Sequence, residues 1–423
     1  MALYTLEAFL SFRNVSYDRK EGIFTRQILF MFCIHFIAFA AICLETSNLT
    51  YIVFYGFQQI LLFAVIALTR TIYHDVDKLM LNNMCLLLSI GFFMLTRLNY
   101  DRALKQFAIV AISLIIGIFI PFIFKNFNYI HKFTWIFGAI GLILLSVVYI
   151  LGAVTHGAKI SYKVFGFSVQ PSEFVKILFV FFIAGLLATS KKFSGVALSA
   201  ALAGLHVIIL VLSKDLGSAL IFFVTYVSMV FAATGNYLYI LAGGVGGAGA
   251  FYVSTKLFSH VRVRIEAWKD PWSDIDKTGY QITQSLFAIG TGGWFGMGLY
   301  QGNPTSIPYV EEDFIFSAIA EEMGVLFSIL LILVCISVFV SFMLLAIRFR
   351  NVYYRLICVG LAVVYIFQIF LTIGGGTRFI PLTGVTLPLI SSGGSSILST
   401  IIIFFIMMGL SLVQVEEEER YER

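Results

Sequence analysis

The stretch KDPWSDIDKTGYQITQS, residues 269–285, sets Asp270, Asp274 and Asp276 beside Lys269 and Lys277. A carboxylate in such a run can take a proton from an attacking hydroxyl or help to hold a cation. The surrounding segment 256–312 adds Glu266, Glu311 and Glu312 and the bases Arg262 and Arg264, with Asp313 next in the chain. Charge keeps any loop hydrated, and composition alone asks nothing more of it. The aromatics Trp268, Trp272, Tyr280, Trp294 and Tyr300 do ask for more, because such side chains pack at an interface or against a ligand. GTGGWFGMG (290–298) lacks a preceding strand and the lysine of a nucleotide loop, so a close-packed re-entrant turn is expected there.

The elements that must position these residues are helices in a bilayer. The 423-residue chain is 60% hydrophobic and 12% charged, against roughly 45–50% and 25% in soluble domains. Its apolar runs are too long and too unalternating for a barrel, and lipid requires each segment to satisfy its own backbone. An all-α polytopic membrane protein of about 12 spans is expected. The spans fall near 27–45, 50–68, 79–96, 106–124, 133–151, 172–189, 196–212, 217–234, 237–255, 313–345, 354–372 and 393–413. Only SKDL parts 196–212 from 217–234, so an interrupted single helix is the alternative there. The first apolar run is long enough to stay as a span rather than be cleaved.

Lys and Arg gather in the inner segments when the N-terminus is cytoplasmic. Arg97, Arg102 and Lys105 then stand outside as an exception. On this topology QPSEF (170–174), SKDLGS (213–218), the 256–312 segment and PLTGVTLPLISSGGSS (381–396) open on one outer face. Charge near membrane depth is costly and usually has a role. Glu173 and Lys176, one turn apart, suit an ion pair or a ligand contact equally. Asp215 suits a helix cap. Glu321 and Glu322, about two turns into 313–345, must be paired or face water. GGVGGAGA (243–250) reads as close helix packing. The five cysteines lie in apolar runs, the six histidines form no i, i+4 pair, and a net charge of +5 gives no reason to expect nucleic acid.

Five blocks in order carry a resemblance: QPSEFVK, KDLGSAL, RVRIEAWKDPWSDIDKTGYQITQSLFAIGTGGWFGMG, EEDFIFSAIAEEMG and PLTGVTLPLISSGGSS. In sequence and spacing they resemble the SEDS family (shape, elongation, division and sporulation), with a lean toward its RodA-like branch. The resemblance covers 79–413, a ten-helix core with an extracellular loop at 256–312. It leaves 1–70, with two additional helices, before the core and an acidic tail, 414–423, after it. In that family the essential aspartate stands five residues before Gly-Tyr-Gln. Counting back from Gly279, Tyr280 and Gln281 gives Asp274. Ile275 and Lys277 depart from the common pattern, as do Arg378, usually uncharged, and Ser392, often Tyr. Lys159 and Lys163 replace the usual Arg-Arg-Trp neighbourhood.

The resemblance implies a peptidoglycan glycosyltransferase that polymerises lipid II outside the bacterial cytoplasmic membrane, beside a class B penicillin-binding protein. Glycosyl transfer needs a base for the attacking hydroxyl and positive charge where the diphosphate leaves. Asp274 is the expected base, acting on a sugar 4-hydroxyl with inversion, and a Mg²⁺ or Mn²⁺ ligand in the alternative. Arg262, Arg264, Lys176 and Arg378 are the expected diphosphate ligands, with Glu173, Ser391 and Ser392 lining the same site. Asp215, Glu321, Glu322, Gly279 and Gln281 are expected in support. A lipid II flippase or a non-catalytic scaffold for the penicillin-binding protein are the rival readings.

Overall fold

The computed structural model describes residues 1–13, 16–127, 129–155, 158–164 and 167–422. Before the core run α1 (Ala2–Leu10), α2 (Tyr17–Thr46) and α3 (Leu49–Ile72). Then come α4 (Lys78–Leu98), α5 (Tyr100–Asn126), a 3-10 turn (Ile130–Phe133) and α6 (Thr134–Leu151). Three short strands follow, β1 (Ala153–Thr155), β2 (Ala158–Val164) and β3 (Phe167–Val169), antiparallel in the order β1-β2-β3. α7 (Pro171–Thr189), α8 (Phe193–Leu212), α9 (Leu216–Thr234) and α10 (Tyr237–Leu257) continue the bundle. The polar segment carries α11 (Ser259–Lys269) and α12 (Tyr280–Gly292), and α13 (Ile315–Arg348), α14 (Val352–Gly376) and α15 (Gly394–Glu422) complete the chain.

Twelve of these helices among the described residues are long and apolar enough to cross a membrane. They match the twelve apolar runs, with α8 and α9 as separate helices. The turn between them places Lys214 at φ +64° and lets Asp215 cap α9 by accepting from Ser218 N at 3.1 Å. α4 is buried on every side. Its polar residues explain how: Asn82 donates to Gln27 Oε1 and the Phe24 carbonyl, and Asn83 accepts from the Tyr4 hydroxyl and donates to Ser337. α1, α2 and α4 are thus joined by polar ties within an apolar interface, where small numbers of such bonds fix helix partners.

The longest span is broken. Gly324 in α13 takes φ +86° and ψ 164°, and the backbone groups on either side of it turn to the 293–298 segment. Met297 N and Gly298 N donate to the Glu321 and Glu322 carbonyls, while Val325 N and Leu326 N donate to Gly293 and Trp294. Unpaired backbone groups at this depth would cost several kcal/mol each, and the close-packed turn after α12 supplies the partners. A Cβ on Gly324 would lie 2.4 Å from Gly296 N, so glycine is required for contact as well as for torsion.

One end of the bundle collects every segment with chemistry in its sequence. Gln170 N donates to Ser395, Gln170 Nε2 to Asp215, Arg264 to the Thr383 carbonyl, Gln106 to the Ser391 carbonyl, and Ser392 N to the Glu311 carbonyl. These bonds draw together 170–174, 213–218, the polar segment and 381–396. The other end carries Lys78–Glu21 and Lys125–Glu416 ion pairs and a cavity of about 680 Å³ lined by His131, Tyr353, Glu416 and Glu417. That cavity opens at the start of α14, a 25-residue helix that spans about 37 Å. It lies far from the aspartate-bearing segment at the helix's other end.

Candidate active site

Asp274 sits in a run of turns over residues 271–279 between α11 and α12. Its carbonyl accepts from Lys277 N at 3.3 Å and Gly279 N at 3.0 Å, and its Oδ2 accepts from the Thr278 hydroxyl at 3.0 Å and Thr278 N at 3.4 Å. No partner for Oδ1 is found among the described residues, so a half-exposed carboxylate is held by one oxygen and open at the other. Gly279 closes the turn: a Cβ there would lie 2.1 Å from the Pro271 carbonyl oxygen. The spacing from Asp274 to Gly279 therefore has a mechanical meaning, since the glycine lets the chain return over Pro271. Ile275 and Lys277 are accommodated in this turn, Ile275 partly buried and Lys277 exposed. Asp276 is exposed, and Gln281 is partly buried at the start of α12.

Arg264 lies on α11, before the aspartate turn. It donates to the Thr383 carbonyl at 3.1 Å, and a Cβ on Gly384 would lie 3.6 Å from Asp313 Oδ2 and 3.8 Å from the Arg264 guanidinium. Asp215 also acts on it electrostatically. Burial weakens both charges of the pair. It pushes the Asp313 carboxyl up to about 7, aided by Glu312 and opposed by Arg264. It also draws Arg264 below its usual value in spite of Asp313 and Asp215. His260 is lowered by burial first and then by Arg264 and Lys214, which places those two cations in one neighbourhood. Lys214 is exposed. Arg262, two residues from Arg264, points elsewhere; side chains so spaced on a helix do not share a face, and its guanidinium reaches the Lys256 carbonyl at 3.4 Å.

Lys176 forms the i, i+3 pair with Glu173 at 2.8 Å and is 1% exposed. It also donates to Gln368 Oε1 at 2.7 Å, while Glu173 Oε2 accepts from Ser399. Gln368 in turn donates to the Thr386 carbonyl and to Ser396. The group ties α7, α14 and α15 to the 381–396 segment, and Lys176 faces the bundle interior. Arg378 binds carbonyls: Nε donates to Trp268 O at 2.9 Å and a terminal nitrogen to Lys269 O at 2.7 Å. Ser391 is buried, its hydroxyl donating to the Glu312 carbonyl and accepting from Leu387 N. Ser392 is held through its backbone.

Glu321 and Glu322 are both buried. Glu321 Oε1 accepts from Asn303 N, and Glu322 Oε1 accepts from Arg97 Nε at 2.8 Å and from Tyr300 N. The Arg97 guanidinium lies 4.2 Å from the Tyr300 ring centre. Arg102 pairs with Glu311 and Glu312. The outer arginines that broke the charge rule are thus neutralised, Arg102 by acids at the far end of the polar segment and Arg97 by Glu322 of α13. Thr278 and Gln368 have no place in the sequence expectations, and Arg97 and Asp313 stand there without a partner. A glutamine inside the apolar run YIFQIF (365–370) is the legible signal for Gln368. The side chains of Lys159 and Lys163 lie outside the described residues.

Among the described residues, no three of His, Cys, Asp and Glu converge as a metal site. Asp274 would be the carboxylate to hold a divalent cation here, since Mg²⁺ commonly binds through one or two carboxylates together with substrate phosphates.

These features define a polytopic helical membrane protein that gathers a polar segment, with an open carboxylate and several cations, at one end of the bundle. More narrowly, the chain belongs to the FtsW/RodA/SpoVE family of cell cycle proteins, whose family model matches residues 77–416. The match begins just before α4, leaving α1–α3 outside it. The peptidoglycan glycosyltransferase RodA of Mycobacterium tuberculosis is 33% identical over 364 residues, covering 79% of this chain and 78% of that protein. The probable peptidoglycan glycosyltransferase FtsW of Alcanivorax borkumensis is 30% identical, with 75% and 85% covered. The fold also matches a solved chain from a peptidoglycan synthase complex that couples polymerization and crosslinking, with TM-score 0.68, 25% identity, and 82% of this chain and 99% of that one covered. Rod shape determining protein RodA of Thermus thermophilus shares the fold at TM-score 0.60 and 22% identity, with 82% and 98% covered.

Proposed function

We propose that this chain is a peptidoglycan glycosyltransferase that polymerises lipid II at the outer face of the bacterial cytoplasmic membrane, with Asp274 as general base. The names of its relatives support the reaction class. The observation that carries the residue assignment is the 271–279 turn, which fixes Asp274 by its carbonyl and one carboxylate oxygen and leaves the other oxygen open. In the proposed step the acceptor 4-hydroxyl attacks C1 of the donor sugar and loses its proton to Asp274. The new C1–O bond forms as the bond from C1 to the diphosphate oxygen breaks, inverting the anomeric centre.

The lipid diphosphate carries the departing negative charge and needs fixed positive charge beside it. Arg264 and Lys214 are the cations proposed for this, because Lys176 is sealed in its ion pair and Arg378 commits two nitrogens to carbonyls where Arg264 commits one. Arg262, on another face of the same helix, is exposed and turns to the Lys256 carbonyl instead. In the alternative role Asp274 would hold a Mg²⁺ or Mn²⁺, which would add to this neutralisation. A class B penicillin-binding protein is the proposed partner, a reading supported by the fold match to a chain of a peptidoglycan synthase complex. The gathering of charge at one end of the bundle favours a polymerase over a flippase, whose site would lie near mid-depth.

Purified protein in detergent, given defined lipid II, should make glycan chains resolvable by gel electrophoresis. A flippase or a scaffold makes none, so absence of polymer in the presence of the partner would overturn this reading.

A further inference from the structure

The 268–285 stretch is tied at both flanks of its aspartate turn to the same end of one transmembrane helix. On the near side, Arg378 donates to the carbonyls of Trp268 (2.9 Å) and Lys269 (2.7 Å), the last residues of α11, while Trp268 Nε1 donates back to the Arg378 carbonyl at 3.1 Å. On the far side, Ser285 in α12 donates to the Gly376 carbonyl at 2.7 Å and lies 2.6 Å from the Ser317 hydroxyl. Residues 376–378, where α14 ends, therefore hold both flanks of the segment that contains Asp274.

Arg378 occupies an unusual backbone position for its type. Its φ is +60°, the left-handed conformation in which a helix commonly ends and which favours glycine. Three glycines immediately precede it in GGGTRF, yet an arginine stands there, and its side chain meets the open carbonyls at the end of α11. Those carbonyls carry the negative end of the helix dipole, which a guanidinium satisfies well.

We propose that Arg378 is a positioning residue for Asp274: it clasps the end of α11 to the end of α14 and so sets where the 271–279 turn begins. This rests on the reading of Asp274 as the base. It differs from a diphosphate-binding role for Arg378, because the guanidinium acts through the protein backbone and not on substrate.

Arg378→Gly separates the two roles, since glycine suits the left-handed backbone and removes only the side chain. In full-length protein its melting temperature should match wild type and its KM for lipid II should stay within about twofold. Its kcat should fall at least tenfold, as a misplacement of about 1 Å costs on the order of 10²-fold. Hydrogen exchange of the 270–279 amides should quicken. Arg378→Lys, which keeps the charge without the planar two-pronged donor, should fall nearly as far in kcat. A raised KM with wild-type kcat would overturn the proposal in favour of substrate binding, and unchanged kcat and exchange would overturn it outright. If wild-type protein made no polymer, the functional reading would fail instead. The exchange comparison would still decide the clasp, and unchanged exchange in Arg378→Gly would overturn it.

Discussion

Gly279→Ala is the smallest change that should move Asp274 without replacing it. At φ −83° and ψ −14° alanine meets no torsional objection, so the whole effect is steric. The added Cβ would lie 2.1 Å from the Pro271 oxygen, 2.9 Å from its carbonyl carbon and 3.1 Å from the Asp274 oxygen. Restoring even 3.0 Å to the nearest of these requires a shift of about 1 Å, and the obstruction is backbone that cannot swing aside. The shift must be taken by the 271–279 turn, because α12 is fixed by Ser285 to Gly376 and Ser317. The bond from Gly279 N to the Asp274 carbonyl, 3.0 Å long, stretches with it. A displacement of that size at a reacting group costs roughly 10²-fold in rate. Steady-state polymerisation of lipid II should show kcat reduced about 10²-fold with KM little changed. Stability is the poorer readout, because alanine also restricts the unfolded chain and returns about 0.4–1 kcal/mol. Wild-type kcat in Gly279→Ala would refute the link between this turn and catalysis.

Arg97→Met strands Glu322, whose side chain is fully buried, without its guanidinium; removing one partner of a buried pair costs about 3–5 kcal/mol. Its melting temperature should drop well below that of the Arg97→Met, Glu322→Leu double variant, and equal melting would show that the pair contributes little. Burial holds Asp313 up at about 7, so folding favours its protonated form. The stability this contributes is full below the unfolded pKa near 4 and is lost as pH rises through about 7. Asp313→Asn should flatten the decline in melting temperature of wild type between pH 5 and pH 8, conditions set by that window; parallel profiles would argue against it.

Much of the bundle was legible because a span needs about 20 apolar residues and little else. The twelve runs in the sequence correspond to the twelve long apolar helices among the described residues. What escaped was set by contacts across the chain. SHVRVRIEAWK alternates valine and arginine in a strand-like period, yet forms α11, and the break in α13 at Gly324 depends on partners from 293–298. The ambiguity at Lys176 was real at the level of sequence, since Gln368 and Ser399 lie far along the chain and only folding brings them to the pair. Arg378 looked like a free cation because its carbonyl partners are 110 and 109 residues away. The Arg97–Lys105 cluster opposed the charge rule until Glu311, Glu312 and Glu322 were seen to neutralise its arginines. Local spacing carried information where the turn is local, as in the five residues from Asp274 to Gly279, where the glycine lets the chain close over Pro271.

The most direct test of the account is Asp274→Asn assayed on purified lipid II. The asparagine keeps an acceptor for Thr278 and removes only the ionisable oxygen, so the protein should fold, melt and bind the proposed penicillin-binding partner as wild type does. It should make no glycan polymer. Polymerisation by Asp274→Asn at the wild-type rate would contradict the claim that this carboxylate is the base.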